Sequence, residues 1–474
     1  ARVANTVRAL PEVRLVGPYH PAYKLDEPML QAIALGSDIG PPVRYSIQLV
    51  ERGANLQAEL ANAIAAIGGT VHGGEPRGSR IEASLDLGQL LRVAHQPEVL
   101  FIDQKGAPEH DMDIVRLFGG GALLHGLGFS GRGIRGEVLD GGLMTDHIDF
   151  RQRTPVIHGS NGSITSHGTP VYGILFGDGT GDDRYRGMLP EGQGIFASYR
   201  ELGFLGGAPT RYQHTAELVD EAGQYRAVFQ SNSWGDPRTT EYTTISAQID
   251  DIAFLYDILL TQSQSNSGAR PSRPQAWAKN IVSVGGIDHH STLTRQDDTH
   301  FAGSTGPAAD GRIKPDLAHF YDSIETTSGL GPREYTIFNG TSASTPIVAG
   351  HFGILYQLWG DGMLGNEIGP AGDAFDNRPS AITAKAIMIN SARPWALADD
   401  MQRRHQGWGA PDVWNLYIAR DELFVVDQDF SLFQPGDRAV YTVSVGSLRG
   451  PLHITMAYLD PAGMAGQRNC ARDQ

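Results

Sequence analysis

Ser342 stands at the entry of FNGTSASTPIVAGHFGILYQL (Phe338–Leu358), where a flexible Asn339-Gly340-Thr341 lead-in precedes an apolar run with Pro346 near its start. Proline is tolerated in a first helical turn and not later, so a buried helix is expected to begin at about Ser342. A serine there has unpaired N–H groups beside it and the positive end of the helix dipole behind it. It is placed to attack a carbonyl and to have the resulting oxyanion stabilised. On this stretch alone an ordinary N-cap serine is the plainer reading. Two other residues change the balance. Asp140 ends the apolar run Ile134–Leu139 in Asp140-Gly141-Gly142, and His167 opens the glycine-rich run SHGTPVYGILFG (Ser166–Gly177). Singly, each has an everyday explanation, a turn aspartate and a solvated histidine. Together the three supply nucleophile, general base and base-orienting carboxylate, the members of a charge relay.

The elements that must position them alternate. Strands are expected at Ile134–Leu139, Ala227–Ser231, Asp257–Leu260 and Ile281–Gly285, with helices from about His167, from Ser342 and over Ala381–Ala392, and with a long loop, Phe301–Ala318, leading into a short strand. Alternating strands and helices over 134–395 predict an α/β protein with a doubly wound, mostly parallel sheet. A carboxylate at the end of a central strand lies where such sheets place their sites. Gly126–Gly131 fits G-x-G-x-x-G, but its glycines precede a strand rather than follow one, so it reads as a tight turn and not a dinucleotide site.

Composition bounds the rest. The chain has 474 residues, room for two to four domains. Its formal net charge of −15 argues against nucleic acid or an anionic membrane as partner. One cysteine, Cys470, excludes an internal disulfide and a cysteine-based zinc site. No apolar run is long enough for a membrane span. Upstream of the candidate site, Arg44–Val50, Asn55–Ile67, Thr70–His72, Arg80–Leu85, Leu87–Ala94 and Val99–Ile102 read in order as βαββαβ, the ferredoxin-like arrangement. Residues 5–17 echo residues 90–102 around a Pro-Glu-Val, so residues 1–40 are expected to be the tail of an earlier, similar unit. Asp103–Asp113 reads as an exposed, cleavable linker. Near the other end, Phe430–Asp460 reads as three alternating strands with open edges, the start of a domain that the chain does not complete.

The order Asp140, His167, Ser342 is that of subtilisin-type proteases, and differs from the chymotrypsin and α/β-hydrolase orders. At these residues the chain resembles the subtilase family: VLDGGLMTDHIDF is similar to its aspartate motif, SHGTPVYG to its histidine motif and NGTSASTPIVAG to its serine motif. FAGSTGPAADGRIKPDLA and Gly407–Gly409 extend the resemblance, which covers roughly 111–460 and is strongest to the large alkaline bacterial branch. It implies a serine endopeptidase with Ser342 as nucleophile, His167 as base and Asp140 as its partner. It further implies Asn266 as oxyanion donor and Ser233, Trp234 and Gly235 as the segment that pairs with the substrate backbone; core packing is an equal reading of Trp234. By the same resemblance, 41–110 is an inhibitory prodomain, 111–420 the catalytic domain and 421–474 the start of a β jelly roll. The enzyme is then expected to be a secreted zymogen that cuts itself between 105 and 113. Partners would be protein or peptide substrates and its own prodomain. No cofactor is needed for the chemistry; structural Ca²⁺ would suit a subtilase, at sites not assignable, and the acidic loop Asp178–Asp183 reads as solvated.

Three departures from the family pattern stand out: Ala318-His319-Phe320 where relatives have Ala-Pro-Gly, Ala343 where many have methionine, and Arg270 and Arg273 opposite Trp234. Two rival functions are a subtilase-fold protein that binds peptide without turnover and a sedolisin-type acid peptidase. The complete set Asp140, His167, Ser342 and Asn266 argues against the first, and a histidine rather than a glutamate base against the second.

Overall fold

The computed structural model describes residues 19–25, 30, 33, 42–51, 53–74, 79–104, 111–201, 210–369, 372–398, 401–427, 436–443 and 452–463. The chain divides into two compact units, Ala1–Pro108 and Glu109–Gln474.

In the first unit β1 (Val43–Leu49), α1 (Ala54–Ala66), β2 (Thr70–Gly74), β3 (Arg80–Leu85), α2 (Leu87–Ala94) and β4 (Val99–Gln104) follow one another as expected. They form an antiparallel sheet in the order β2-β3-β1-β4. Strict alternation makes β3 one-sided: Ile81, Ala83 and Leu85 are buried while their neighbours are not. They pack with Ile47, Leu49, Leu60, Ile64, Leu90 and Ile102 into one core. A capping box between Asp86 and Gln89 starts α2. Leu25 bridges to Ile102 and joins the same core. The echoing residues 5–17 lie outside the described residues.

The second unit is built on a seven-stranded sheet in the order β11-β10-β9-β8-β5-β7-β6: β5 Arg135–Asp140, β6 Val156–Ile157, β7 Gln193–Ser198, β8 Phe229–Asn232, β9 Leu259–Ser263, β10 Val282–Ile287 and β11 Leu317–Phe320. All its pairings are parallel. Strands β8, β9 and β10 are buried at every position, the mark of a sheet covered on both faces. One face carries α5 (Thr165–Phe176) and α8 (Thr341–Gly360) in the main core; the other carries α6 (Arg211–Leu218) and α7 (Thr244–Tyr256) through Leu218, Ile249 and Ile252. From β5 the chain runs outward to β6 and β7 on one side and then through β8–β11 on the other. The order therefore reverses at β5, and sites in such sheets lie at the strand ends beside that reversal. A hairpin of β12 (Ile324–Thr327) and β13 (Tyr335–Phe338) precedes α8. The fold is subtilisin-like. No helix among the described residues is long and apolar enough to cross a membrane.

Four expectations are corrected. The strand expected at Asp257–Leu260 lies at Leu259–Ser263, because Asp257 sits in the left-handed region (φ 44°) as the cap of α7. The linker expected to reach Asp113 ends earlier: α3 spans Asp111–Leu117, with α4 (Gly121–Gly126) after it, and Met112 is fully buried in the catalytic core. Ala318, His319 and Phe320 form no remodelled loop but continue as buried β11, pairing with Gly285–Ile287. Within Phe430–Asp460, the described residues 436–443 and 452–460 carry no strand, and Val440, Ile454 and Met456 are more than 80% exposed. Alternation specifies which side chains would share a face; it does not supply the partner strand or the surface that covers them.

Candidate active site

β5 carries Asp140 to its C-terminal end, where the side chain is 1% exposed. Asp140 Oδ1 accepts the Gly141 N–H at 2.6 Å and His167 Nδ1–H at 2.8 Å. His167 is the third residue of α5, and the neighbouring glycine makes the approach possible: a Cβ at Gly168 would lie 2.2 Å from the Gly142 carbonyl oxygen. The helix start therefore rests directly on the turn that follows Asp140. Burial disfavours the charged imidazole, but the Asp140 charge and hydrogen bond outweigh it and raise the His167 pKa above its ordinary value. The ring meets Phe338 edge-on at 5.2 Å.

Ser342 is the second residue of α8, whose cap is Gly340. Every other residue from Thr341 to Trp359 is buried, and Ser342 is not. A helix apolar on all sides belongs in a core; this one surfaces at a single hydroxyl. That hydroxyl donates to the Ser233 carbonyl at 3.1 Å, and the Ser233 hydroxyl donates back to the Ser342 carbonyl at 3.0 Å. No hydrogen bond joins Ser342 to His167 among the described residues, where the serine hydroxyl is engaged with the Ser233 carbonyl instead. Among the described residues the Ser342 N–H makes no backbone hydrogen bond, while Thr341 and Ala343 donate to Asn266 and Gly340.

Asn266 lies past the end of β9, after Ser265, which holds a positive φ of 107°. Such a conformation is costly for a non-glycine residue and persists where surrounding contacts impose it. Here they do: the Ser265 N–H donates to Thr341 Oγ1 and its carbonyl accepts from Ser304. Asn266 Oδ1 accepts both the N–H and the hydroxyl of Thr341, at 2.9 and 3.0 Å. With its oxygen engaged twice by the first residue of α8, the amide keeps its NH₂ for another acceptor. Gly340 is required there on two counts, a φ of 99° and a space in which a Cβ would lie 3.0 Å from Asn266 Nδ2.

Ser233, Trp234 and Gly235 follow directly on β8. Trp234 is half-buried, stacked on Tyr199 at 4.5 Å with the Arg211 guanidinium 5.4 Å from its ring. It thus packs and faces solvent at once. Arg273 donates to the Asp236 carbonyl and Arg270 to the Pro307 carbonyl, each at 3.0 Å. In the acidic loop, Asp178 accepts backbone N–H groups from Thr180 and Gln152, and Asp182 and Asp183 pair with Arg184 and Arg186. Among the described residues one group, Glu137, His158 and His214, gathers three metal-ligating side chains.

Sequence reasoning missed Thr341 and Ser265 as supports of Asn266. The Gly-Thr-Ser run marked Thr341 but no spacing links it to residue 266. The cluster at Glu137 was missed as well, because its members are dispersed along the chain.

A serine at a helix N-terminus and an imidazole bonded to a buried carboxylate at the end of a central parallel strand are parts that a serine hydrolase needs. The model of the subtilase family matches residues 131–409. The chain belongs to that family and is a serine endopeptidase acting on proteins or peptides. No curated protein matches it. It is similar in structure to the prenylagaramide maturation protease PagA (18% identity, 64% of this chain and 98% of that one, TM-score 0.49). It is also similar to the patellamide maturation protease PatA (18% identity, 61% of this chain and 98% of that one, TM-score 0.46). The family assignment rests on the sequence match.

Proposed function

We propose that the chain hydrolyses internal peptide bonds through an acyl-enzyme formed on Ser342. The carrying observation is the 2.8 Å bond between His167 Nδ1 and Asp140 Oδ1, set beside the one residue of 341–359 that reaches solvent. With its Nδ1–H committed to Asp140, the imidazole presents Nε2 as the basic nitrogen. His167 Nε2 takes the Ser342 proton as Oγ attacks the scissile carbonyl, and later gives it to the leaving amine. Asp140 holds the tautomer and balances the imidazolium. The carbonyl oxygen, now an oxyanion, receives the Ser342 N–H and Asn266 Nδ2. The acyl-enzyme is then hydrolysed by water with His167 as base again. Substrate is taken to add as a strand along Ser233–Gly235, main-chain hydrogen bonds supplying affinity.

A serine-directed fluorophosphonate tests this reading. It should label Ser342 in the wild type, and label His167→Ala only slowly. Labelling elsewhere, or casein turnover by Ser342→Ala, overturns it.

The chain is further read as a zymogen in which the ferredoxin-like unit is an inhibitory prodomain released by self-cleavage. Its support is the order of elements: β4 ends at Gln104 and the catalytic unit's first helix begins at Asp111. Mass spectrometry of wild type and Ser342→Ala after incubation tests it.

A further inference from the structure

Strands β8 and β9 are parallel neighbours, with Asn232 beside Gln262. The segments that leave them therefore start side by side, Ser233–Asp236 from β8 and Gln264–Arg273 from β9. The second closes on itself: the Arg273 N–H donates to the Gln264 carbonyl at 3.2 Å. Ser272 and Thr239 exchange backbone bonds at 2.8 and 2.9 Å, which ties this loop to the chain beyond Asp236. The half-buried Arg273 side chain then lies against the β8 segment. A Cβ at Gly235 would stand 2.9 Å from both its Cβ and its Cγ, and its Nη1 donates to the Asp236 carbonyl at 3.0 Å. Among the described residues its other guanidinium N–H groups have no partner and it forms no ion pair.

The charge around it is mostly positive. The Asp236 carboxylate accepts Gln275 Nε2 at 2.6 Å. Burial, and after it the exposed Arg238, lower the Arg273 pKa, and Asp236 offsets less than Arg238 contributes. The same Asp236 also acts on Arg211, the fully buried guanidinium over Trp234. The other carboxylate near Arg211, Glu137, is already hydrogen-bonded to His158 and His214. Arg270, exposed on the loop that ends at Arg273, adds to the positive side.

We propose that Arg273 sets the specificity of the cleft, for substrates with glutamate or aspartate at P1, the residue just before the cut bond. The inference rests on the acyl-enzyme reading above and on strand addition along Ser233–Gly235. With the scissile carbonyl held by the Ser342 N–H and Asn266, the P1 side chain enters between the β8 and β9 segments, where the guanidinium stands. Its planar fork of N–H donors matches a carboxylate. An apolar P1 side chain would cover those donors without pairing them, and a lysine would meet like charge; each penalty sharpens the preference.

The test is a set of internally quenched peptides, identical except for Glu, Asp, Gln, Leu, Phe or Lys at P1, cleaved by the full wild-type chain. The kcat/KM for Glu is expected to exceed that for its isostere Gln by about tenfold to a hundredfold, the range of a hydrogen bond to a charged group. Arg273→Ala should bring the Glu/Gln ratio close to one and raise kcat/KM for Phe, and Arg273→Glu should favour Lys over Gln. If Arg273→Ala does not fold, Arg273→Lys takes its place: without the fork it should keep the preference at a lower ratio. A wild-type ratio of about one, a ratio that persists in folded Arg273→Ala, or one unchanged in Arg273→Lys overturns the inference. Fluorophosphonate labelling separates the two readings. A chain that labels at Ser342 and prefers Leu, Phe or Lys overturns the specificity alone; one that neither labels there nor cleaves any peptide overturns the mechanism and the specificity with it.

Discussion

Asn266 Oδ1 takes two hydrogen bonds from one residue, the N–H and the hydroxyl of Thr341, at 2.9 and 3.0 Å. Thr341 is the residue before Ser342 and the first of α8. The side chain read as oxyanion donor and the helix that carries the nucleophile are thereby one rigid piece. Neither can shift without the other, which is the preorganisation that electrostatic stabilisation of a transition state requires.

Loosening this joint should be measurable. Removing one oxyanion donor from a subtilisin costs on the order of 10²–10³ in kcat, and Asn266→Ala is expected to lose as much with KM nearly unchanged. Thr341→Val keeps the N–H but loses the hydroxyl. It also leaves the Ser265 N–H without its acceptor, so two hydrogen bonds of about 1 kcal/mol each are lost, which corresponds to a loss of up to roughly thirtyfold in kcat. Steady-state kinetics on a peptide substrate checks both, and near-wild-type turnover of Asn266→Ala would remove it from the mechanism.

The pH profile follows from His167. Its raised pKa means that the imidazole stays protonated to a higher pH than a free histidine does. The base must be neutral, so activity is absent at low pH and rises as pH climbs through that value. The acid limb of kcat/KM should therefore lie above 6.5, the ordinary histidine pKa. Asp140→Asn removes the cause: its limb should move down, and kcat should fall on the order of 10⁴-fold because the tautomer is lost. An acid limb in Asp140→Asn that coincides with the parent's contradicts the assignment.

Gly168→Ala should damage the site without touching a reacting group. The new Cβ meets the Gly142 carbonyl at 2.2 Å, so the start of α5 must retreat from Asp140 and carry His167 with it. Fluorophosphonate labelling of Ser342 should slow at least tenfold, on the scale expected when a general base is misplaced. The melting temperature should fall as well. Unchanged labelling would show that the helix start tolerates the displacement.

Self-cleavage, if the zymogen reading holds, has a limit in the fold. Met112 is buried in the catalytic core within α3, so a cut at or beyond it would need that helix to unwind. The new N-terminus in the wild type is expected between residues 105 and 111, and Ser342→Ala should keep its N-terminal unit. N-terminal sequencing decides it; cleavage after Met112, or processing of the mutant alone in pure solution, counts against this reading.

Oxidation gives a further contrast. Ala343 is fully buried beside Ser342 and has no sulfur, so peroxide cannot place a sulfoxide there. Activity should outlast peroxide treatment that inactivates relatives with methionine at that position, as residual turnover after timed exposure would measure.

Much of this protein was legible along the chain. The βαββαβ unit was readable because β3 alternates with period two and Asp86 announces α2, both local signals. The helix at Ser342 was readable because proline, glycine and an unbroken apolar run leave few other outcomes. Types and order singled out Asp140, His167 and Ser342. What tertiary structure alone decided concerns residues far apart in sequence. Asn266 is oriented by Thr341, 75 residues away; Ser342 donates to Ser233, 109 residues away; and His158 and His214 converge on Glu137 from two other elements. Alternation could not tell whether 436–443 and 452–460 would be strands, since a strand needs a partner that its own residues do not name. Local steric and hydrogen-bonding preferences write elements into a sequence. A site is made where distant elements cross, and that crossing is set by how their buried faces pack.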